Sequence, residues 1–381
     1  MKICDVVKNS VWYDPRVRKQ IVSYLAEPSC EVNAIGVMDR RYDEEKVQEY
    51  PCNVRLARIA PKYYGAQRTF LMKMIRELKV NKQIKKMIID SNPDIIHAND
   101  LNALIPAYKA AKKLKCAIIY DSHEVFVENA SIVKHKFIRF IWMAYEKFLI
   151  NRIDKVVCVS HAAASYLEKL YEIEKPLVVT NCSLKTEQCF AGEKNDCFEV
   201  LNHGQFYEGR GYDIMIEAIP YLQDYPDIRL ALRGFGKLEE KLKNRANELD
   251  KEKVRFYPKA LVQELIPLAA KSHVGIAVTE AICLNFELSV SNKLFEYASA
   301  GLPVIMSDIP EHRYLNEKYK FGIIISENTP EKLAQAIIKL YTDKEFYNQC
   351  VSNARQLSEE INWENEFERL IKFERTISNS K

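Results

Sequence analysis

Short apolar runs alternate with longer amphipathic stretches along the whole chain, and this pattern predicts strands that alternate with helices. In the first half, helical periodicity is clear at Val17–Ala26, Leu101–Lys113 and Ala162–Leu170. Six strands are predicted around these stretches: Ile3–Val7, Glu31–Gly36, Asp94–His97, Ala117–Asp121, Lys155–Ser160 and Leu177–Asn181. Alternation at this spacing indicates a parallel sheet with helices on both faces.

The second half repeats the same scheme. Its predicted strands are Phe198–Gly204, Arg229–Gly234, Val254–Tyr257, Val274–Thr279, Pro303–Ser307 and Gly322–Ile325. Its predicted helices are Tyr212–Leu222, Lys237–Leu249, Val262–Lys271, Ser291–Ala300, Pro330–Asp343 and Lys344–Ser358. Residues 185–197 are polar and weakly periodic, so we interpret them as a linker between two domains, residues 1–184 and 198–361.

The predicted fold is therefore α/β, with two doubly wound, Rossmann-like domains that face each other across a cleft. In sheets of this kind, ligands bind beyond the carboxyl ends of the strands. We expect the functional site to be formed by the loops that follow those strands.

Composition and charge narrow the classes of function. The 381 residues include 56 Lys and Arg against 52 Asp and Glu, and the net charge of +4 is too small to indicate a nucleic-acid partner. The ten cysteines form no C-x-x-C pair, and no zinc site is expected. Asp5 and Lys8 interrupt the opening segment where a signal peptide needs apolar residues. No run approaches the roughly 20 apolar residues of a spanning helix, so we expect a soluble, cytoplasmic protein.

The segment Leu284–Asp308 carries the densest group of candidate binding residues. Ser291 is a suitable N-cap for a helix, and a helix N-terminus with free N–H groups attracts anions. Asn292 and Lys293 add a donor and a positive charge in the first turn, and Glu296 lies on the same side at i+4. A phosphate site beside a carboxylate that can bind a diol suits a nucleoside diphosphate sugar. The alternative interpretation is an ordinary capped helix with solvated polar residues.

Arg210 follows the first predicted strand of the second domain and is flanked by Gly209 and Gly211. Glycines allow a ligand to approach the backbone closely, and a guanidinium group binds phosphate oxygens in pairs. Arg210 and Lys293 would stabilise a departing diphosphate without a metal ion. No D-x-D motif follows an apolar strand in the first half, which favours the same interpretation. The alternative is an arginine in a surface turn.

Two histidines follow strands in the first domain. His123 lies just beyond the strand Ala117–Asp121, at a carboxyl end where ligands bind, and the alternative is a structural histidine. His97 follows another strand, and the sequence leaves open whether it lies in the core or lines the cleft with Asp100.

The motif S-x-S-N-K-L-F-E-Y-x-x-x-G-L-P-V-I resembles the donor-site signature of retaining glycosyltransferases of family 4, which have the two-domain GT-B fold. Further matches follow in the family's order along nearly the whole chain: Tyr13–Val17, Asp121–Glu124, Asn181, His203–Gly204, Glu208–Gly211, Leu232–Gly236 and Trp363. The resemblance implies that a terminal helix at 362–381 packs back on the first domain. It also implies transfer of a hexose or similar sugar, with retention, from a nucleotide donor to a glycan or lipid-linked acceptor in cell-surface polysaccharide assembly.

The resemblance also assigns roles to individual residues. It implies that His123 hydrogen-bonds the donor sugar near the reacting carbon and that Arg210 binds the diphosphate, with no metal ion or cofactor. The donor-binding residues that it implies are Gly204, Arg210, Gly211, Asn292, Lys293, Leu294 and Glu296, and those on the acceptor side are Asp14, Arg16 and Asp100.

The chain departs from the family pattern at one position. Family members commonly carry two glutamates separated by seven residues, and the first contacts the donor sugar. Counting back from Glu296 gives Leu288, which is not an acid. Glu280 and Glu287 are nearby, but neither is in register.

Two basic segments are candidates for contact with an anionic membrane. Lys62–Lys86 is strongly basic, and the sequence favours membrane contact and a solvated helix equally, with a helix break expected near Asn81. Lys134–Ile150 is more regularly amphipathic and is predicted to pack its apolar face on the sheet. That face is Phe137, Ile141, Tyr145 and Phe148, and the opposite face is Lys136, Arg139 and Lys147.

Two alternatives to a glycosyltransferase remain open at this point. A nucleotide-sugar 2-epimerase shares the two-domain architecture but needs additional acids and bases in the cleft. A catalytically inactive sugar- or membrane-binding module is favoured only by the missing first glutamate. A nicotinamide-dependent oxidoreductase is disfavoured because no G-x-G-x-x-G motif opens a helix after a strand.

Overall fold

The structure is a computed structural model that describes residues 1–11, 14–38, 53–58, 69–190 and 193–378, apart from the side chains of residues 70 and 186. The chain forms two compact units. Unit 1 is Met1–Val179 with Glu366–Lys381, and unit 2 is Thr180–Asn365. The segment 185–197, which we interpreted as a linker, belongs to unit 2. The amides of Cys189 and Asn195 donate to the carbonyls of Ser299 and Lys271, so these parts of the segment are tied to unit 2.

Unit 1 contains one sheet of seven parallel strands in the order β3-β2-β1-β4-β5-β6-β7. The chain starts at the centre of the sheet, moves outward to β3 and then crosses back to β4, as in a doubly wound fold. Its elements are β1 Lys2–Val7, α1 Pro15–Ala26, β2 Glu31–Val37, β3 Asn53–Ala57, α2 Phe70–Ser91, β4 Ile95–Asn99, α3 Asp100–Leu114, β5 Ala117–Ser122, α4 Ala130–Val133, α5 Lys136–Ile150, β6 Lys155–Cys158, α6 His161–Tyr171 and β7 Leu177–Val178.

Unit 2 contains six parallel strands in the order β10-β9-β8-β11-β12-β13, and the chain again reverses direction beside its first strand. Its elements are β8 Phe198–Gln205, α7 Tyr212–Glu217, β9 Ile228–Phe235, α8 Glu239–Leu249, β10 Val254–Tyr257, α9 Leu265–Ala269, β11 Val274–Ala277, α10 Leu284–Leu288, α11 Asn292–Ser299, β12 Val304–Ser307, α12 Pro310–Tyr319, β13 Gly322–Ile325, α13 Pro330–Thr342 and α14 Lys344–Glu360. Helix α15, Trp363–Ser378, follows. The prediction of two Rossmann-like α/β domains is confirmed.

Strand β3 was not predicted from the sequence. It forms the edge of the sheet and pairs only with β2 among the described strands, so its first four residues are exposed or half-buried and only Ala57 is buried. Because Arg55 interrupts its apolar residues, this segment lacks the continuous apolar run of a central strand.

Helix α2 runs without a break through Asn81, so the predicted interruption there is wrong. Its second half buries Val80, Ile84 and Ile88, which recur every four residues on one side. Lys82 is exposed and Lys85 is half-buried beside this stripe, so neither lysine has to enter the core. Lys62 and Arg68, from the same basic segment, lie outside the described residues.

Helix α5 is not oriented as predicted, because the residues that it buries are Glu146, Leu149 and Ile150. Lys136 and Lys147, on the predicted solvent face, are exposed. Glu146 is fully buried and accepts hydrogen bonds from the hydroxyls of Tyr120 at 2.9 Å and Tyr171 at 2.7 Å. Arg139 pairs with Glu128. These contacts hold the predicted apolar face outward: Phe137, Ile141 and Phe148 are exposed. The prediction that this face packs on the sheet is therefore wrong.

Helix α15 completes the core of unit 1 from the far end of the chain. Glu374 is fully buried and lies 2.6 Å from the Tyr24 hydroxyl and 2.9 Å from Nδ1 of His97. The ring of Phe367 packs edge-on against Tyr24 at 5.1 Å. His97 thus lies in the core and not on an open surface, which decides between the two positions that the sequence left open.

No helix in the part of the chain that the structure describes combines the length and the apolar character needed to cross a membrane.

Candidate active site

A cavity of about 370 Å³ opens in unit 2 where β8 and β11 end and α11 begins. This is where the strand order reverses, the position at which doubly wound sheets bind ligands. Its lining residues are His203, Gly204, Gln205, Gly209, Arg210, Leu265, Val278, Thr279, Phe286, Ser289, Val290, Ser291, Asn292, Lys293 and Glu296. Five of the seven predicted donor-binding residues are therefore brought together: Gly204, Arg210, Asn292, Lys293 and Glu296.

The other two, Gly211 and Leu294, are not among the lining residues. Gly211 has φ = 70°, and a Cβ there would lie 2.7 Å from the Val278 side chain, so a larger residue would displace the cavity wall. Leu294 is fully buried, and its side chain belongs to the core.

The N-terminus of α11 forms one end of the cavity. Ser291 occupies the N-cap position, as predicted, but its side chain makes no capping hydrogen bond. The backbone N–H groups of the first turn therefore lack that acceptor. Asn292 is exposed beside them. The helix dipole and these N–H groups favour an anion at this end.

Lys293 is nearly buried, with 8% of the residue exposed. Its Nζ donates to Oδ1 of Asn202 at 2.7 Å and lies 5.1 Å from the centre of the Tyr212 ring. Burial and the nearby positive charge of Arg210 lower the pKa of Lys293 to about 7, although Glu296 opposes this change. A bound anion would oppose both effects and raise the pKa of Lys293, since its negative charge would stabilise the protonated amine.

Arg210 lies on the loop between β8 and α7, and its side chain is exposed at the mouth of the cavity. Nδ2 of Asn202 contacts the Arg210 carbonyl at 3.4 Å, so Asn202 contacts both basic residues. Glu280 supports the same loop, because its amide donates to the Gly209 carbonyl at 3.0 Å. Two positive groups thus face one cavity from separate elements.

Glu296 faces the cavity one turn into α11, and its carboxylate lies 2.6 Å from Nε2 of His203. The His203 amide donates to the Tyr297 hydroxyl at 3.1 Å, and the two rings stack with centroids 4.7 Å apart. His203 was not predicted as a site residue. Two sequence signals pointed to it: its position near the carboxyl end of β8 and its place in the family match His203–Gly204.

The position that corresponds to the family's first glutamate does not face the cavity. Leu288 is 8% exposed and belongs to the buried side of α10. Neither Glu280 nor Glu287 is among the lining residues. Phe286, Ser289 and Val290 line the cavity on this side instead.

In unit 1, His123, Asn99 and Asp100 meet at the carboxyl ends of β4 and β5. Nε2 of His123 lies 3.0 Å from Oδ1 of Asn99, and the His123 amide donates to Asp100 at 3.1 Å. Burial lowers the pKa of His123, but the carboxylates of Asp100 and Asp121 outweigh this effect and raise it above its usual value. His123 keeps 15% of its side chain exposed at the edge of this sheet.

The other predicted residues of this unit support that arrangement. Arg16 is 2% exposed and donates to both carboxylate oxygens of Asp121, at 2.9 and 3.1 Å. It therefore positions Asp121 and is not free on an open surface. Asp14 caps α1 by accepting from the amides of Arg16 and Val17. Tyr13, which belongs to the same motif, lies outside the described residues.

The described residues hold no group of three or more His, Cys, Asp or Glu side chains placed to share a metal ion.

Solved structures with the same fold cover almost the whole chain. Sucrose-phosphate synthase from Thermosynechococcus elongatus superposes with a TM-score of 0.80 at 16% identity, and 100% of each chain is covered. A glycosyltransferase from Rickettsia africae gives 0.77 at 16% identity, covering 99% of this chain and 98% of that one. Anabaena HepE in complex with UDP gives 0.76 at 13% identity, covering 99% of this chain and 100% of that one.

Sequence relatives lead to the same group of proteins. An uncharacterized glycosyltransferase of Haemophilus influenzae is 21% identical over 353 residues, 91% of each chain. The phosphatidyl-myo-inositol mannosyltransferase of Mycobacterium leprae is 23% identical over 306 residues, 79% of this chain and 78% of that protein.

Two family models match adjoining parts of the chain. The model of Glycosyltransferase Family 4 matches residues 16–188, and the model of glycosyl transferases group 1 matches residues 185–357. Together with the two parallel sheets, these matches show that the protein belongs to the GT-B glycosyltransferases of family 4.

Proposed function

We propose that this glycosyltransferase transfers a sugar from a nucleoside diphosphate donor, with retention of configuration and without a metal ion or other cofactor. The observation that carries the proposal is the cavity of unit 2. It combines two basic side chains, a helix N-terminus without a side-chain cap and the carboxylate of Glu296. The Anabaena structure with the same fold holds UDP, which supports the same class of donor.

The proposed catalysis rests on electrostatic stabilisation of the leaving group. Departure of a nucleoside diphosphate builds negative charge on its phosphate oxygens. Arg210, Lys293 and the first N–H groups of α11 line the cavity or its mouth and would stabilise that charge. Glu296, which His203 holds in place, would accept hydrogen bonds from the ribose hydroxyls.

The residues at the edge of the unit 1 sheet are proposed to act on the sugar and the acceptor. His123 would hydrogen-bond the donor sugar near the reacting carbon. Asp100 accepts a hydrogen bond from the backbone amide of His123 and would orient that residue. Asp14 and Arg16 would support the acceptor side from the start of α1.

The acceptor is proposed to be a glycan or a lipid-linked glycan, in the assembly of a cell-surface polysaccharide. The relative from M. leprae is named for transfer to phosphatidyl-myo-inositol, which supports a lipid-linked acceptor. We also propose that the protein works in the cytoplasm, since none of the nine cysteines that the structure describes forms a disulfide.

A thermal-shift panel of nucleotide sugars tests the donor site. A ligand at about a hundred times its dissociation constant adds about 2.7 kcal/mol to the free energy of unfolding, so the true donor should raise the melting temperature clearly. Matching free nucleoside diphosphates should stabilise as well, because the proposed contacts are with the nucleotide. If no nucleotide or nucleotide sugar shifts the melting temperature, the proposed donor site is wrong.

The stabilising donor then tests the reaction. Nuclear magnetic resonance of the transferred sugar should show the anomeric configuration of the donor, and His123→Ala should slow transfer much more than it weakens nucleotide binding. An inverted product would exclude retention. Incubating the donor without an acceptor distinguishes the 2-epimerase, which would produce an epimer. Nucleotide binding without any turnover would indicate an inactive module.

A further inference from the structure

Helix α5 presents large apolar side chains to the solvent. Phe137 is 75% exposed, Phe140 61% and Ile141 51%, and Ile138 and Phe148 are also exposed. We call these five residues the α5 apolar face. Soluble proteins rarely expose a contiguous apolar surface of this kind unless it meets a partner. The buried contacts of Glu146 and Arg139 fix the helix, so it cannot rotate to bury the face without breaking them.

The chain segment that carries the face is mostly basic. Between residues 130 and 153 the chain carries five basic residues, Lys134, Lys136, Arg139, Lys147 and Arg152. The single acid of this segment, Glu146, is buried and points inward. At the far end of the helix, Lys147 lies 3.6 Å from Glu172 of the neighbouring segment. The end that carries Lys134 and Lys136 therefore combines exposed aromatic rings with positive charge.

The adjacent helix extends this basic surface. The ring of Tyr108 in α3 packs edge-on against Phe148 at 6.5 Å. The same helix carries exposed lysines at Lys109, Lys112 and Lys113. Aromatic and aliphatic residues flanked by lysines match an anionic bilayer, where rings enter the interface and ammonium groups meet phosphate headgroups.

We propose that the α5 apolar face docks unit 1 on an anionic lipid surface, with Lys134 and Lys136 at the headgroups. Helix α5 connects the carboxyl end of β5 to the start of β6, so its first turns lie toward the sheet edge that holds His123 and Asp100. Docking there brings that edge close to the membrane. The link to a lipid-linked acceptor rests on the proposed function, but the docking itself does not.

Vesicle co-sedimentation tests the docking with the intact protein. The protein is mixed with vesicles of phosphatidylcholine alone or of phosphatidylcholine and phosphatidylglycerol in equal parts. We expect binding to the mixed vesicles, and at least about tenfold weaker binding when Phe137→Ser and Phe140→Ser are combined. Lys134→Glu with Lys136→Glu should weaken binding to the mixed vesicles similarly.

The matched control is Leu261→Ser with Val262→Ser, because these residues are 60% and 50% exposed in unit 2. The control should bind vesicles like the parent, and all variants should keep the parent's melting temperature. Failure of the parent to bind mixed vesicles, or equal binding by the phenylalanine variant, would overturn the proposal. Self-association of the parent without lipid, abolished by the phenylalanine substitutions, would instead assign the face to a second copy of the chain.

The nucleotide thermal-shift panel separates this proposal from the proposed function. Vesicle binding without any nucleotide-induced shift would leave the docking intact and reject the donor site. A nucleotide-induced shift without vesicle binding would support the donor site and reject the docking.

Discussion

Nε2 of His203, at the end of β8, lies 2.6 Å from a carboxylate oxygen of Glu296, one turn into α11. This contact joins the two elements that frame the cavity of unit 2. The imidazole leaves the Glu296 side chain 24% exposed, so a ligand can still reach it. Glu296 is thus held in one orientation before any ligand binds, which lowers the entropic cost of a hydrogen bond to a ribose diol.

Glu296→Gln is expected to weaken binding of both the donor and the free nucleoside diphosphate by about 1–3 kcal/mol, because the amide has lost the charge and one acceptor. A deoxyribose nucleotide lacks one of these hydroxyls, so the substitution should cost it much less. Isothermal titration calorimetry measures both affinities. Glu287→Gln is the control, because Glu287 is not among the lining residues and should be neutral. If the substitution weakens binding of the ribose and deoxyribose nucleotides equally, Glu296 does not bind the ribose and has only a structural role in the helix.

Arg210→Ala is expected to weaken donor binding and to reduce turnover, because each charge-assisted hydrogen bond contributes about 1.5–3 kcal/mol. Steady-state kinetics and nucleotide titrations measure the two effects. Arg313→Ala serves as the control, since Arg313 is half-exposed, pairs with Asp308 and does not line the cavity. Affinity and rate both within twofold of the parent's would remove Arg210 from the site.

Donor affinity is expected to fall as the pH rises through about 7, the pKa of Lys293 in the free protein. Below this pH the amine is already protonated. Above it, an anion can bind with full strength only if Lys293 takes up a proton, because the bound diphosphate raises its pKa. Calorimetry at about pH 8 in buffers of different ionisation enthalpy should report that uptake.

Lys293→Met should bind more weakly and lose this pH dependence. A nucleotide sugar is the appropriate ligand, since its diphosphate is a diester without a titration near neutral pH. The same slope in the parent and in Lys293→Met would assign the proton to another group.

Activity is expected to survive excess chelator, because Arg210, Lys293 and the start of α11 are proposed to balance the charge of the leaving group. Turnover is compared before and after treatment with ethylenediaminetetraacetate, and again after magnesium or manganese is added. Activity that disappears with chelator and returns with either metal would overturn this part of the mechanism.

Glu146→Gln is expected to stabilise the protein at about pH 8 and to change little at about pH 5. Burial raises the pKa of Glu146 from 4.5 to about 7, against the hydrogen bonds from Tyr171 and Tyr120. The folded state therefore keeps a proton that the unfolded state releases, and stability is lost as the pH rises toward and through 7. The amide cannot ionise, so it avoids roughly 1–3 kcal/mol of that loss.

Urea unfolding at the two pH values measures the difference. Glu172→Gln, on an exposed carboxylate near the same helix, should show no such dependence. A parent and variant with parallel stability across this range would mean that Glu146 stays ionised in its buried site.

The sequence was sufficient for the fold because the central strands are continuous apolar runs, of which Val274–Ala277 is a fully buried example. It was insufficient for β3, an edge strand with only one fully buried residue. The orientation of α5 could not be read from a helical wheel, since the partners of Glu146 come from β5 and α6. A helical wheel shows which residues share a face, but which face packs inward depends on side chains that are distant in the sequence.

The candidate site also has features that the sequence predicts and features that it does not. Asn292, Lys293 and Glu296 belong to one short helix, so their common placement follows from local spacing. The contact between His203 and Glu296 joins residues 93 positions apart and depends on how β8 and α11 pack. The sequence also could not predict that Ser291 makes no capping hydrogen bond. It identifies a residue suited to the N-cap position but not the direction of its hydroxyl.

Helix α15 also has a consequence for the order in which the protein is made. The ribosome completes all of unit 2 before it synthesises Phe367 and Glu374, which fill the core of unit 1 beside Tyr24. Until then the Tyr24 hydroxyl and one nitrogen of His97 lack their buried partner. The unit that begins the chain is therefore the last to reach its native state, and a nascent chain stalled after α14 should remain sensitive to protease in its first domain while its second is already resistant.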